Sequence, residues 1–95
     1  MQLPETWREL SNEEQIHFTQ ELRNEVCETH ALANVSVRAM ARRKTDDFLF
    51  CGIDGEPRCF VVHLTWHKET VPDFPWTTEF GSFEDFQRNW KRHFD

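Results

Sequence analysis

The sequence predicts an α+β fold in which a three-stranded antiparallel meander is flanked by N-terminal and C-terminal helices. A capping-box sequence at Ser11–Glu14 precedes an apolar helical period. Two runs rich in β-branched and aromatic residues flank Asp54-Gly55, a strong hairpin-turn signal. Near the C-terminus, a serine followed by two acids within three residues opens an aromatic stripe. We therefore expect one domain over residues 1–95 with the order α-β-β-β-α.

The first helix is expected from Asn12 to Cys27. The Ser11 hydroxyl can accept a hydrogen bond from the backbone N–H of Glu14, and the Glu14 side chain can return the bond. Phe18, Leu22 and Val26 recur every four residues, which gives the helix a broad apolar face. This face predicts that the helix packs on the sheet.

The first strand is expected from Val35 to Arg42, where small or apolar residues alternate with larger or polar ones. One predicted face carries Val35, Val37, Ala39 and Ala41, and the other carries Ser36, Arg38, Met40 and Arg42. The alanines suit close contact with a helix.

The second and third strands are expected at Asp47–Ile53 and Cys59–Trp66, and the turn between them places Cys51 opposite Cys59. One face then holds the aromatic core, and the helices are expected to pack there. That set comprises Phe48, Phe50, Phe60, Val62, Leu64 and Trp66. The opposite face is mixed, because it combines apolar and polar residues. It carries Leu49, Cys51, Ile53, Cys59 and Val61 together with Arg38, Met40, Arg42, His63 and Thr65. An unpaired strand edge is expected at the first or the third strand.

The segment 67–81 is expected to be a loop with proline and aromatic clusters. Ser82 is the predicted N-cap of the last helix. Phe83, Phe86, Trp90 and Phe94 form its apolar stripe.

Composition limits the classes of function. Nine Phe and four Trp can build a core without a cofactor, and we expect no cofactor. The formal net charge of −6 disfavours binding to nucleic-acid phosphates and suits either solubility, the more common explanation, or a basic protein partner. The sequence shows no signal peptide and no apolar stretch long enough for a membrane span. Three cysteines without metal-type spacing indicate reduced thiols, and we expect a cytoplasmic protein.

His63 is the main candidate for chemistry. As a general base it would need an orienting acid, which Asp46 or Asp47 could supply. A histidine hydrogen-bonded in a half-buried sheet face is the favoured alternative. A metal site at His63, His67 and Glu69 is disfavoured, because the chain lacks a paired-ligand motif. The sequence also lacks a glycine-rich phosphate loop and a G-x-S-x-G elbow. We therefore predict no catalytic and no metal-binding residues.

The cysteine pair and the aromatic loop remain open. Cys51 and Cys59 could be catalytic or form a disulfide, although two small buried thiols are the favoured explanation. Phe74 and Trp76 are candidate binding residues, because tryptophan is enriched at binding hot spots. The alternative, in which the loop folds back and Trp76 closes the core, is slightly favoured. The candidate binding residues are Arg38, Arg42, Asp46, Asp47, His63, Thr65, Phe74 and Trp76.

The chain resembles a known protein family in three segments, which are Asp46–Phe50, Val61–Trp66 and Phe74–Thr78. They resemble a family of small bacterial proteins with a "D-D-x-L-F" strand and a "V-H-L-T-W" strand. The resemblance covers about the last two-thirds of the chain and implies no catalytic residue. In size, acidity and architecture the chain is also similar to immunity proteins that neutralise toxins, which is an analogy at the level of class.

We predict a cytoplasmic protein-binding module, with an immunity protein that neutralises a toxin by direct binding as its specific form. One alternative is a small enzyme that uses His63 with Asp46 or Asp47. Another is a self-associating structural subunit, such as a homodimer built through the mixed sheet face or an edge strand. No nucleic-acid or membrane partner is expected.

Overall fold

Residues 2–94 are described by the computed structural model, and they form a five-stranded antiparallel sheet with helices on both faces. The strands lie in the sheet in chain order. The elements are β1 (Arg8–Glu9), α1 (Asn12–Glu25), β2 (Val37–Arg43), β3 (Asp47–Gly52), β4 (Cys59–His63), β5 (Trp76–Phe80), α2 (Phe83–Asn89) and α3 (Lys91–Phe94). The α+β class is confirmed, and the three predicted strands form the centre of the sheet.

Two strands were absent from the prediction. β5, Trp76–Phe80, lies in the segment that was expected to be a loop and pairs with β4. β1, Arg8–Glu9, pairs with β2. Both predicted free edges are therefore covered, and the edges of the observed sheet are the two-residue β1 and the longer β5.

The central hairpin has the predicted register. Cys51 lies opposite Cys59, and the pairing continues to Asp47 opposite His63. The turn contains Asp54 and Gly55 with φ of 56° and 91°, and the Glu56 N–H donates to the Ile53 carbonyl over 3.1 Å. This is the left-handed turn that the Asp-Gly pair predicts.

Both predicted helix starts are confirmed. The Ser11 and Glu14 side chains form the reciprocal capping box of α1. The Ser82 hydroxyl accepts from the Asp85 N–H at the start of α2. α1 ends at Glu25 instead of Cys27, and the last helical segment divides at Trp90 into α2 and α3.

The helices cover opposite faces of the sheet, so the prediction that both pack on the aromatic face is wrong. α1 packs against the predicted aromatic face, where Phe18 and Leu22 meet Phe48, Phe50 and Phe60. On the opposite face, α2 and the residues beside it form a second core. This second core includes Trp7, Ala41, Leu49, Cys59, Val61, Phe80, Phe86 and Trp90. The face that was expected to be mixed is therefore largely apolar and buried.

A β-bulge in β2 explains part of this difference. Ala39 pairs with Phe50 and Ala41 pairs with Leu49, so Met40 is an extra residue without a partner on β3. The extra residue reverses the alternation: Ala39 belongs to the core under α1, and Ala41 belongs to the second core. The predicted assignment of Ala41 and Arg42 to the two faces is therefore wrong.

Within residues 2–94, no helix combines the length and the apolar character that crossing a bilayer requires.

Candidate functional site

Four residues from successive strands form a row across one end of the sheet. Arg43 on β2 is paired with Asp47 on β3, Asp47 with His63 on β4, and His63 with Trp76 on β5. We call Arg43, Asp47, His63 and Trp76 the cross-strand row. Because directly paired residues project to the same face of a sheet, the four side chains lie on the face that α2 covers elsewhere.

Asp47 connects the charged members of the row. Its Oδ2 lies 3.3 Å from Nη1 of Arg43, and its Oδ1 lies 2.9 Å from Nδ1 of His63. The side chains of Arg43 and Asp47 are largely buried, whereas that of His63 is 53 % exposed. The guanidinium of Arg43 also stacks over the Trp90 ring, 4.9 Å from its centroid. The row is therefore held by buried contacts at Arg43 and Asp47 and is open to solvent at His63 and Trp76.

Arg42, which was predicted to share the face of His63, lies on the other side of the sheet. Its guanidinium is 5.2 Å and 4.9 Å from the ring centroids of Phe18 and Phe48, in the core under α1. Nη2 donates to the Thr45 carbonyl over 2.6 Å. The bulge at Met40 places Arg43, instead of Arg42, beside Asp47 and His63.

Arg38 lies away from the row. Its Nε donates to Oε1 of Gln15 over 2.7 Å, so it contacts α1. It lines a shallow cleft with Ile16, Arg23 and Ile53, and His63 does not line this cleft. Arg38 and Arg42 therefore do not lie in a common site with His63.

Thr65, Asp46 and Glu25 fix the chain after β4. The N–H of Thr65 donates to Oε1 of Glu25 over 2.8 Å, and that of Trp66 donates to Oε2 over 2.7 Å. The Thr65 hydroxyl lies 2.6 Å from Oε2 of Glu69. Oδ1 of Asp46 accepts from the Trp66 indole N–H over 2.8 Å. Thr65 therefore faces these carboxylates, and its predicted place on the face of His63 is wrong.

Glu25 is completely buried. Burial and the adjacent Glu21 raise its pKa from 4.5 to about 7, although hydrogen bonds from Thr65 and Trp66 oppose this shift. Trp66, whose N–H donates to Glu25, has a positive backbone φ of 63°. Glu25 is thus an anchor for the segment that leads to β5.

Phe74 and Trp76 are exposed at the start of β5. The two residues are 49 % and 70 % accessible, whereas Trp7 and Trp90 are buried in the second core. The prediction that Trp76 closes the core is therefore wrong. Pro75 lies between them, is buried, and follows a cis peptide bond. Its carbonyl oxygen lies 2.9 Å from Nε2 of the buried His30. The burial of Pro75 and its hydrogen bond with His30 fix the backbone from which the two aromatic side chains project.

The outer edge of β5 presents free backbone groups. The Gly52 N–H donates to the Arg58 carbonyl, so these two residues are a hydrogen-bonded pair. Because hydrogen-bonded and non-hydrogen-bonded pairs alternate along antiparallel strands, this bond determines toward which neighbouring strand each residue of β4 and β5 directs its backbone groups. Trp76, Thr78 and Phe80 then direct their backbone groups toward β4. Thr77 and Glu79 direct theirs outward, and no other residue among 2–94 forms a backbone hydrogen bond with them. We call this outward side of Trp76–Phe80 the β5 edge.

The cross-strand row also has the geometry of an oriented histidine. A carboxylate on Nδ1 fixes the ring and one tautomer, which is how acids orient a general base. The hydrogen bond of the His63 ring is formed by Nδ1, and its partner is Asp47. Among the described residues, no three His, Cys, Asp or Glu side chains are grouped to hold a metal ion.

Comparison of the chain with protein-family models, curated proteins and solved structures found no match. The resemblance to a small bacterial family therefore rests on its three sequence motifs and stays a prediction.

Of the eight residues predicted for binding, the structure joins Asp47, His63 and Trp76 in one row, with Phe74 beside it. Arg43 and Glu25 are not among the eight residues that the sequence predicts for binding. No local signal marks the bulge that selects Arg43. A glutamate at the end of an apolar helix face was visible in the sequence, but its burial depends on the distant segment 64–69.

Proposed function

We propose that this protein is a protein-binding module whose binding surface is the β5 edge together with Phe74 and Trp76. The observation that carries the proposal is a tryptophan with 70 % of its surface accessible at the start of an edge strand. Its partner is an extended, basic segment of another protein.

The backbone supplies the first part of the binding energy. Thr77 and Glu79 each direct an N–H and a C=O outward, so a partner strand can add to the sheet by main-chain hydrogen bonds. Proteins usually protect such edges with charge, proline or a covering loop. Pro75 precedes the outward groups and leaves them accessible.

The side chains supply the anchors. Phe74 and Trp76 are exposed while most of the other aromatic residues are buried or half-buried. Tryptophan is enriched among the residues that dominate binding energies, and a fixed backbone reduces the entropy lost on binding. Trp76 also adjoins His63 and Asp47, which extend the surface with polar groups.

Charge favours a basic partner. The chain carries a formal net charge of −6. Around the β5 edge, Asp73 and Glu79 are exposed. Arg58 pairs with both Glu56 and Glu79, at 2.7 Å and 3.1 Å, so these three side chains together keep one net negative charge. A basic segment therefore gains electrostatic attraction at this edge.

A second copy of the chain is the competing occupant. An antiparallel pair centred on Thr78 would place Thr77 opposite Glu79 of the other copy and satisfy all outward groups. Two chains of charge −6 repel each other, which favours the basic partner.

The test is a comparative affinity capture from an extract of the native host, followed by measurement of Kd with the purified captured protein. We expect Trp76→Ala to weaken binding at least tenfold, since hot-spot truncations cost about 2 kcal/mol or more. The expected loss is larger for the double variant Phe74→Ala with Trp76→Ala.

Ile16→Ala is the matched control, because Ile16 is 65 % exposed and lies on α1. It should bind like the unmodified chain. Trp76→Ala should also unfold in urea within about 0.5 kcal/mol of the unmodified chain, as exposed positions do. An equal Kd for the unmodified chain, Trp76→Ala and Ile16→Ala would contradict the proposal. A concentration-dependent dimer that Trp76→Ala abolishes would assign the edge to a second copy.

The narrower prediction, an immunity protein that neutralises a toxin, rests on acidity, size and architecture. Its test is whether the captured partner is toxic when expressed alone and harmless when co-expressed with this chain. A cytoplasmic location likewise stays a prediction from the sequence.

Acid–base catalysis at His63 is a second candidate function, because Asp47 holds Nδ1 at 2.9 Å. A test would assay the purified chain against ester and phosphodiester substrates. Activity that His63→Gln and Asp47→Asn both abolish, and that Trp76→Ala retains, would favour this function over binding.

A further inference from the structure

The sulfur atoms of Cys51 and Cys59 lie 3.4 Å apart across the β3–β4 hairpin. The residues face each other directly in the register. Gly52 and Arg58 form a hydrogen-bonded pair, so the adjacent Cys51–Cys59 pair is of the non-hydrogen-bonded type. In such pairs the Cα atoms are about 4.5 Å apart, which lies within the range that a disulfide bridges, about 4.4–6.8 Å.

We propose that Cys51 and Cys59 form a redox modification site, a dithiol that hydrogen peroxide converts reversibly to a disulfide across the hairpin. The pair lies at the turn end of the hairpin, opposite the cross-strand row, and Cys59 is paired with Phe80 at the end of β5. Cys51 is half-buried, so the pair is reachable from its side, and Cys59 is buried in the second core. Phe83 and Phe94 pack against the same core.

The reaction balances with peroxide as the oxidant. A thiolate of the pair attacks one oxygen: an S–O bond forms, the O–O bond breaks, and hydroxide leaves and takes up a proton as water. The second sulfur then attacks the sulfenic sulfur. The S–S bond forms, the S–O bond breaks, and the released hydroxide takes the second thiol proton as another water. The two thiols lose two electrons, and peroxide gains two.

The hydrogen bond between the thiols assists the first step. It lowers the pKa of Cys59 and, with burial, raises the pKa of Cys51. Cys59 therefore forms the thiolate more readily, and peroxide reaches it past the half-buried Cys51, which keeps its proton until the second step.

Cys27 provides an internal control. It lies two residues beyond the end of α1, and its Sγ is 3.4 Å from the Thr29 hydroxyl. No second cysteine adjoins it in the part of the chain that the structure describes. Peroxide should therefore leave Cys27 without an intramolecular disulfide partner.

The experiment treats the reduced, folded chain with an equimolar amount of hydrogen peroxide, blocks free thiols under denaturing conditions, and maps the peptides by mass spectrometry. We expect a cross-linked peptide that joins Cys51 to Cys59, a mass decrease equal to two hydrogens, and full reversal by dithiothreitol. Cys27→Ser should give the same cross-link, and Cys51→Ala should leave Cys59 free for alkylation.

Two results would overturn the proposal. In the first, Cys51 and Cys59 both remain alkylatable while Cys27 is oxidised. In the second, oxidation of Cys51 or Cys59 stops at sulfinic acid or yields only links between chains.

Discussion

Glu25 shows how one buried carboxyl group organises a distant part of this chain. It ends α1, yet its oxygens accept from the N–H groups of Thr65 and Trp66, some forty residues later in the sequence. Its backbone carbonyl accepts from the Glu69 N–H over 2.9 Å. The segment that connects β4 to β5 is therefore held by a residue on which burial imposes an electrostatic cost.

This cost predicts a pH dependence of stability. Because the pKa of Glu25 in the folded chain is about 7, against 4.5 ordinarily, the folded chain holds this proton where the unfolded chain has released it. The stabilising contribution is complete below pH 4.5 and is lost as pH rises to about 7. The loss amounts to about 3 kcal/mol, at 1.36 kcal/mol per pKa unit.

The measurement is urea unfolding at several pH values between 4.5 and 7 for the unmodified chain and for Glu25→Gln. The variant should lack this component of the pH slope. Its stability at low pH should be lower by about 1–3 kcal/mol, because the amide nitrogen cannot accept from a backbone N–H. Glu28→Gln, at an exposed position, is the control. A slope that Glu25→Gln leaves unchanged would contradict the assignment.

Among the elements, the β3–β4 hairpin is the one whose local sequence determines its geometry most directly. Asp54 and Gly55 adopt positive φ, and this turn fixes the register that brings Cys51 to Cys59 and Asp47 to His63. The hairpin thereby positions both the dithiol and the centre of the cross-strand row.

Gly55→Ala should destabilise the chain by about 1–2 kcal/mol. A Cβ at residue 55 would meet no heavy atom within 4 Å, so the cost would come only from φ of 91°. Gly81→Ala is the matched control, because Gly81 has no positive φ and its Cβ would make an ordinary contact at 3.8 Å. Urea unfolding measures both. Equal stability of the two variants would show that the turn tolerates a side chain.

At the scale of the whole molecule, a single sheet separates two cores. Leu22 and Phe86 are both completely buried, the first under α1 and the second under α2. Small domains with one shared sheet usually unfold in a single step, so a loss on either face lowers the stability of the whole chain.

We therefore expect Leu22→Val and Phe86→Leu to cost about 1 kcal/mol each and to be additive within about 0.5 kcal/mol, because they share no partners. A double-mutant cycle in urea measures the coupling. Phe80→Leu combined with Phe86→Leu is the comparison pair, since those rings are 5.6 Å apart and should couple more strongly. Strong coupling between Leu22 and Phe86 would contradict the separation of the cores.

The sequence by itself determined the elements whose signals are local. The capping box at Ser11, the N-cap at Ser82 and the Asp54-Gly55 turn each use side chains and backbone within a few residues, so the pattern was sufficient. For the same reason it predicted the pairing of Cys51 with Cys59 and the candidates Asp47, His63 and Trp76.

Only the tertiary structure decided how the faces are used. The bulge at Met40 places Arg43, instead of Arg42, in the cross-strand row. β5 forms because β4 offers it an edge, and α2 packs on the face opposite α1. Each depends on contacts between residues far apart in the chain, and a period of two or 3.6 residues carries no information about them. The exposed Trp76 and the buried Glu25 follow from those contacts.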